Sequence, residues 1–255
     1  MNLRNIRRKY GQNYLKDNSI LFEMAEVIAP SEFDCFVEIG PGLGALTNQI
    51  NINNANIIGI DIDEHNIKAL KKKFHGPANF HFIKDDILKF NLDSLSSKQR
   101  IVGNLPYNIS TQIILKLVEH FEKIIDMHFL VQKEVAEKIS GQLATKDWGK
   151  LAIKTSAFFD SEILFDVPPE AFDIKPKVNS SFIRLIPKKN LDYDLSIKNN
   201  LYKVIDLAFS SRRKNIKNNL KALNISWSEI DIDPTKRSEE IPLEYFIKLA
   251  KEYLV

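Results

Sequence analysis

Five short runs rich in apolar and β-branched residues, Cys35–Gly40, Asn56–Asp61, Asn79–Lys84, Arg100–Asn104 and Met127–Gln132, recur along the first half of the chain with helix-like segments between most of them. This alternation constrains the fold more than any other feature. A strand followed by a helical crossover returns parallel to itself, so the pattern predicts a parallel sheet with helices on both faces. Glu64–Phe74 and Thr111–Phe121 carry helical spacing, and Asn18–Ala29 precedes the first strand as a helix with Asn18 as N-cap and Pro30 as its stop. Two later runs, Glu162–Val167 and Ser181–Ile186, are joined by a loop too poor in helix for a crossover, which predicts an antiparallel end to a sheet of seven strands.

After Ile186 the composition turns polar at Pro187-Lys188-Lys189-Asn190, and the spacing of Leu201, Ile205 and Ala208, then Ile216, Leu220 and Leu223, is helical. The expected division is therefore residues 1–187 as an α/β domain and 188–255 as a small helical domain. A chain of 255 residues with 44% hydrophobic and 27% charged residues has the material to bury a core in each. The first ten residues hold Arg4, Arg7, Arg8 and Lys9 without the apolar run of a signal peptide, and no stretch has transmembrane length, so a cytoplasmic protein is expected. Cys35 is the only cysteine, which excludes an intrachain disulfide, and the five histidines lack metal-ligand spacing, so no metal site is assigned.

Three features carry chemistry. The first strand runs into Gly40-Pro41-Gly42-Leu43-Gly44, where residues without Cβ let backbone N–H groups approach a ligand, and Asp61 ends the next strand at the distance of a ribose-binding acid. Taken alone, Gly40, Gly42 and Ala45 also satisfy the dinucleotide pattern of a dehydrogenase. Asp85 and Asp86 end the third strand at the same edge, where one carboxylate suits an adenine amino group. At the end of the fourth strand stands Asn104-Leu105-Pro106-Tyr107. The Asn104 side-chain oxygen and the Leu105 carbonyl are acceptors for an exocyclic amine, Pro106 stiffens the turn, and Tyr107 offers a stacking face to a base. A nucleotide-like cofactor delivered to a nucleobase accounts for all three.

Gly11-Gln12-Asn13-Tyr14-Leu15, the Glu38–Thr47 stretch, Asn104–Ser110, Pro168-Pro169-Glu170-Ala171-Phe172 and Ala208–Lys214 together resemble the bacterial 16S rRNA adenine N6,N6-dimethyltransferases, and the likeness spans nearly the whole chain. The resemblance implies a class I methyltransferase fold, Rossmann-like, with S-adenosylmethionine as cofactor and S-adenosylhomocysteine as product. It implies dimethylation at N6 of two adjacent adenines in the hairpin near the 3′ end of 16S rRNA, within the immature small subunit. Asn13, Leu15, Gly40, Gly42, Asp61, Asp86 and Asn104 are then expected at the cofactor, with Asp61 on the ribose and Asp86 on the adenine. Phe172 is expected to face Tyr107 across the target base. Tyr14 stands where the family has phenylalanine, and Ile174 and Asn179 replace a usual proline and aspartate.

Between Ala208 and Ala222 no acidic residue occurs, while Arg212, Arg213, Lys214, Lys217 and Lys221 all do, which concentrates the modest net charge of +3 where phosphates can be met. A monomer acting on RNA is the expectation. The competing readings are a 23S rRNA methyltransferase of the antibiotic-resistance type, a non-catalytic assembly checkpoint and the dehydrogenase.

Overall fold

The computed structural model describes residues 13–51, 55–76, 79–95 and 98–252; the Gly11-Gln12 part of the N-terminal motif and the arginines and lysine of the first ten residues lie outside them. Seven strands form one sheet in the order β3-β2-β1-β4-β5-β7-β6. They are β1 (Cys35–Ile39), β2 (Asn56–Asp61), β3 (Phe80–Lys84), β4 (Gln99–Asn104), β5 (Ile124–Gln132), β6 (Phe159–Val167) and β7 (Ser180–Pro187). β1 pairs in parallel with β2 and β4, β2 with β3, and β4 with β5, whereas β7 runs antiparallel to β5. The α/β class and the antiparallel closing strand are as the sequence pattern predicts.

This order puts β1 and β4 side by side at the point where strand succession reverses, and in open parallel sheets ligands bind at the carboxyl edge there. Ile39, Asp61, Lys84, Asn104 and Gln132 end their strands at that edge. Helix α1 (Asn18–Ile28) packs Leu21, Met24 and Ile28 against Phe36, Val102, Leu130 and Phe182 of the sheet. Its N-cap is Asp17, whose carboxylate accepts from the Ser19 and Ile20 amides, one residue before the cap expected from sequence. Helices α2 (Ala45–Ile50), α3 (Glu64–Lys73) and α4 (Ser110–Leu117) follow β1, β2 and β4.

The contacts of the chain divide into two compact units, one of residues up to Ala136 with Glu162–Pro187, the other of Glu137–Ser161 with Lys188 onward. A single break at 187/188 thus misses the grouping of Glu137–Ser161 with the C-terminal residues. The physical reason lies in that unit's own bonds. Helix α5 (Lys133–Ile139) leads into it, and from α6 (Lys150–Ser156) Lys154 reaches both carboxylate oxygens of Asp206 on α7 (Lys198–Ala208) at 2.9 Å. Trp148 donates its indole N–H to the Ile241 carbonyl at 2.9 Å.

The basic stretch is not one helix. After α7 ends at Ala208, Arg212, Arg213 and Lys214 sit exposed on a turn, and the α-helix that follows, α8, is only the four residues Ile216–Asn219, well ahead of α9 (Leu243–Glu252). Asn219 holds the turn by donating to the Ala208 and Ser211 carbonyls at 2.6 and 3.0 Å, and Asn215 caps α8 by accepting from the Asn218 amide. These asparagine bonds outcompete continuation of the helix.

Candidate active site

The carboxyl edge of β1, β2 and β4 opens into a cavity lined by most of the residues singled out in the sequence. Asn13, Gly40, Gly42, Asp61 and Asp86 are on its wall, together with Asn104, Leu105, Pro106 and Tyr107. Leu15 is not; it is 7% exposed, belongs to the core beneath α1, and borders a neighbouring cavity that shares Tyr14, Gly40 and Asn104 with the first. Phe172 is not either.

The Phe172 ring is wholly buried in the same core as Leu15 and Phe182, so it presents no open face opposite Tyr107. The backbone explains this. Leu15 and Phe172 form an antiparallel bridge, the Asp173 amide donates to the Tyr14 carbonyl at 2.9 Å, and the Lys16 amide donates to the Ala171 carbonyl at 2.9 Å. Short strand-like segments on either side thus hold each other, and alternation turns both Leu15 and Phe172 inward.

The same pairing places Asn13 above the end of β4. The Asn104 amide nitrogen donates to the Asn13 carbonyl at 2.7 Å, which fixes the amide plane and leaves its oxygen as the acceptor end. The Leu105 amide donates to the Leu130 carbonyl at 3.0 Å, anchoring the turn to β5. Tyr107 is held by its hydroxyl, 2.5 Å from the Ser180 hydroxyl at the start of β7. Burial raises the Tyr107 phenol above its ordinary value, so it stays neutral.

Asp61 is 5% exposed and fully engaged: one carboxylate oxygen accepts from the Asp63 amide at 2.8 Å, the other from the Gly42 amide at 3.2 Å and the Asn66 side-chain amide at 2.9 Å. Burial raises its carboxyl, opposed by these three donors. Gly42 has φ of +56°, and a Cβ there would lie 2.8 Å from the Tyr14 ring, so the loop needs glycine both for its backbone and to seat that ring. Asp86 accepts from the Leu88 amide at 3.0 Å, which points the turn after β3 into the cavity.

Three residues that matter escape sequence reasoning: Asn66, Ser180 and the Tyr14 hydroxyl. Asn66 carries a weak signal, since it occupies the inner face of α3 with Ile67 and Leu70, where a polar side chain requires a partner.

Glu38, beside the glycine loop on β1, is 2% exposed and accepts from the Thr47 hydroxyl at 2.5 Å. Burial pushes its carboxyl up from 4.5 to about 7. The folded chain therefore holds a proton over that window that the unfolded chain releases, and stability falls as pH rises from 4.5 to 7. Glu38→Gln removes this slope. The variant should melt at a higher temperature than the parent at pH 8, and the gap should close near pH 4.5; an equal gap at both values in thermal unfolding contradicts the assignment.

The family described as Ribosomal RNA adenine dimethylase matches residues 3–253. The chain belongs to that family. The "Ribosomal RNA small subunit methyltransferase A" of Dechloromonas aromatica is 38% identical over 246 residues, 96% of each chain, and that of Coxiella burnetii is 38% identical over 249 residues, again 96% of each. Among solved structures, a dimethyladenosine transferase from Plasmodium falciparum superposes with TM-score 0.77 at 24% identity over 92% of this chain and 95% of its own. The 23S rRNA methyltransferase ErmE superposes with TM-score 0.73 at 22% identity over 94% and 98%. Both likenesses speak to the fold, Rossmann-like and of the methyltransferase type. Membership in the dimethylase family makes the chain an rRNA adenine methyltransferase and removes the dehydrogenase reading of the glycine loop. No helix among the described residues is long and apolar enough to cross a membrane.

Proposed function

We propose that this enzyme transfers methyl groups from S-adenosylmethionine to N6 of two adjacent adenines in the 3′-terminal hairpin of 16S rRNA, acting as a cytoplasmic monomer on the immature small subunit. The observation that carries the reading is the Asn104 amide, whose nitrogen is taken by the Asn13 carbonyl and which lines one cavity with the glycine loop, Asp61 and Asp86. The small-subunit relatives at 38% identity favour 16S over 23S rRNA.

The cavity fits the cofactor's chemistry. A buried carboxylate at Asp61 suits a ribose diol, the apolar side chains of Ile62, Ile87 and Ile113 suit the faces of a purine, and Asp86 suits its amino edge. When bound, S-adenosylmethionine supplies an electrophilic methyl on a sulfonium that departs as a neutral thioether. The protein's part is orientation. Asn104 and the Leu105 carbonyl accept the N6 hydrogens of the target adenine, two before the first transfer and one before the second, favouring a pyramidal nitrogen with its lone pair free; once methylated, the cationic nitrogen releases one proton to solvent at each transfer. Tyr107 stacks on the base, a contact worth roughly 1–3 kcal/mol. No carboxylate base is required, and Phe172 acts by holding Leu15 and the Asn13 carbonyl in register rather than by stacking.

The test is methyl transfer from labelled cofactor to small subunits lacking the modification, with 23S rRNA as control and the labelled nucleoside identified. N6,N6-dimethyladenosine in the 16S hairpin is the expected product; label in 23S rRNA or on another atom overturns the reading.

For the RNA, Arg212, Arg213, Lys214 and Lys217 are exposed in the second unit and form its phosphate-binding patch. Arg212→Glu with Arg213→Glu should weaken small-subunit binding and lower the slope of log K against log salt by roughly 2, about one per lost phosphate contact. Affinity for S-adenosylhomocysteine should be unchanged. Binding with the parental salt slope would remove these arginines from the interface.

A further inference from the structure

We propose that the Tyr14 hydroxyl and the Asn66 side chain are positioning residues that hold the Asp61 carboxylate for the cofactor ribose. The inference rests on the S-adenosylmethionine reading of the cavity. The Tyr14 hydroxyl donates to the Asn66 side-chain oxygen at 3.1 Å, and the Asn66 amide nitrogen donates to the Asp61 carboxylate at 2.9 Å. These three side chains come from the N-terminal segment, α3 and the end of β2, so the relay ties the first motif of the chain to the acid at the cavity wall.

A primary amide has one donating and one accepting end, and only one orientation lets Asn66 donate to a carboxylate. The reverse would set its oxygen against the Asp61 oxygens. At 4% exposure Asn66 has no bulk water to satisfy the end facing away from Asp61, so the Tyr14 O–H selects the productive orientation. Tyr14 itself is set by its ring lying against Gly42, where any Cβ would collide with it. The Gly42 amide also donates to Asp61, at 3.2 Å to the oxygen that Asn66 contacts. Tyrosine at position 14 therefore performs two separable tasks. The ring packs against the glycine turn, as a phenylalanine would, and the hydroxyl orders Asn66 and through it the carboxylate. Phenylalanine leaves a buried acceptor unpaired; replacing Asn66 by leucine as well removes that acceptor along with its need for a donor.

Tyr14→Phe isolates the hydroxyl. In calorimetry on the full chain, the variant should bind S-adenosylhomocysteine about tenfold more weakly, the scale of one lost hydrogen bond in a buried network. An analogue lacking both ribose hydroxyls should bind parent and variant equally. In turnover, KM for S-adenosylmethionine should rise by a similar factor with kcat near the parental value. Asn66→Leu should reproduce this pattern, and the double variant should be no weaker than Asn66→Leu alone, because both changes cut one relay. Parental affinity in Tyr14→Phe overturns the proposal, as does equal weakening toward the ribose-modified analogue, which is what a general packing defect gives. If the parent itself binds no S-adenosylhomocysteine, the cofactor reading fails and the relay's role with it.

Discussion

Asn104→Ala is expected to lower the rate of methyl transfer by about a hundred- to a thousandfold at saturating cofactor, the scale on which a preorganised polar group at a reacting centre acts. The effect begins at a peptide carbonyl. Asn13 is placed over β4 by the pairing of Leu15 with Phe172, and its carbonyl takes the Asn104 amide nitrogen at 2.7 Å. The amide oxygen is thereby fixed before any base arrives, and ordering it costs nothing at the moment of reaction. Alanine removes both the acceptor and the tether. Asn104→Asp separates them: it keeps an oxygen of the same reach but sets a carboxylate oxygen against the Asn13 carbonyl, so the side chain must turn away. Single-turnover measurements should find the aspartate variant nearly as impaired as alanine. Near-parental turnover with aspartate would show that an acceptor suffices and that the Asn13 tether is irrelevant to the chemistry.

The strands, their order of appearance and the edge that carries the cavity were legible in the sequence because each depends on local pattern. Apolar runs of five or six residues announce strands regardless of context, and Asn104–Tyr107 advertises its acceptors and ring by residue type alone. What was not legible depends on distant partners. Phe172 shares a motif with the proline turn before it, and nothing local reveals that Leu15 pairs with it and turns its ring into the core. The basic stretch after Ala208 has helical spacing, but Asn219 donates back to Ala208 and Ser211 and closes a turn instead. Glu137–Ser161 carries no boundary signal, and it is bonds such as those of Lys154 and Trp148 to the C-terminal residues that show which unit claims it. The Tyr14 hydroxyl looks like a mild aromatic exchange until Asn66, distant in sequence, is seen to receive it.

Gly103→Ala should have the largest effect on stability of any single methyl group added at this edge. Gly103 is the penultimate residue of β4 and pairs with Phe129 of β5, and in sequence it reads as a small residue in an apolar run. A Cβ there would lie 2.5 Å from the Ile39 carbonyl oxygen and 3.4 Å from its carbon, inside contact distance of the neighbouring strand's backbone. A side chain can rotate aside, but a central strand's carbonyl cannot, since β1 is held by β2 on its far side in register from Cys35 to Ile39. Relief requires β1 and β4 to part where they end. Overpacking in a close-packed interior typically costs 1–3 kcal/mol and more where backbone must move, so a loss of about 3 kcal/mol is expected. For a chain of this length that corresponds to a fall of roughly 6–12 °C in Tm. Function should suffer beyond the stability loss. Ile39 leads into Gly40 and Gly103 into Asn104, and the Asn104 carbonyl lies only 4.0 Å from where a Gly40 Cβ would stand. Parting the strands therefore separates the glycine loop from the Asn104–Tyr107 turn. Well below its Tm, Gly103→Ala should bind S-adenosylhomocysteine more weakly and turn over more slowly than the parent; a parental Tm with parental affinity would mean that the strands yield to the methyl group without moving the edge.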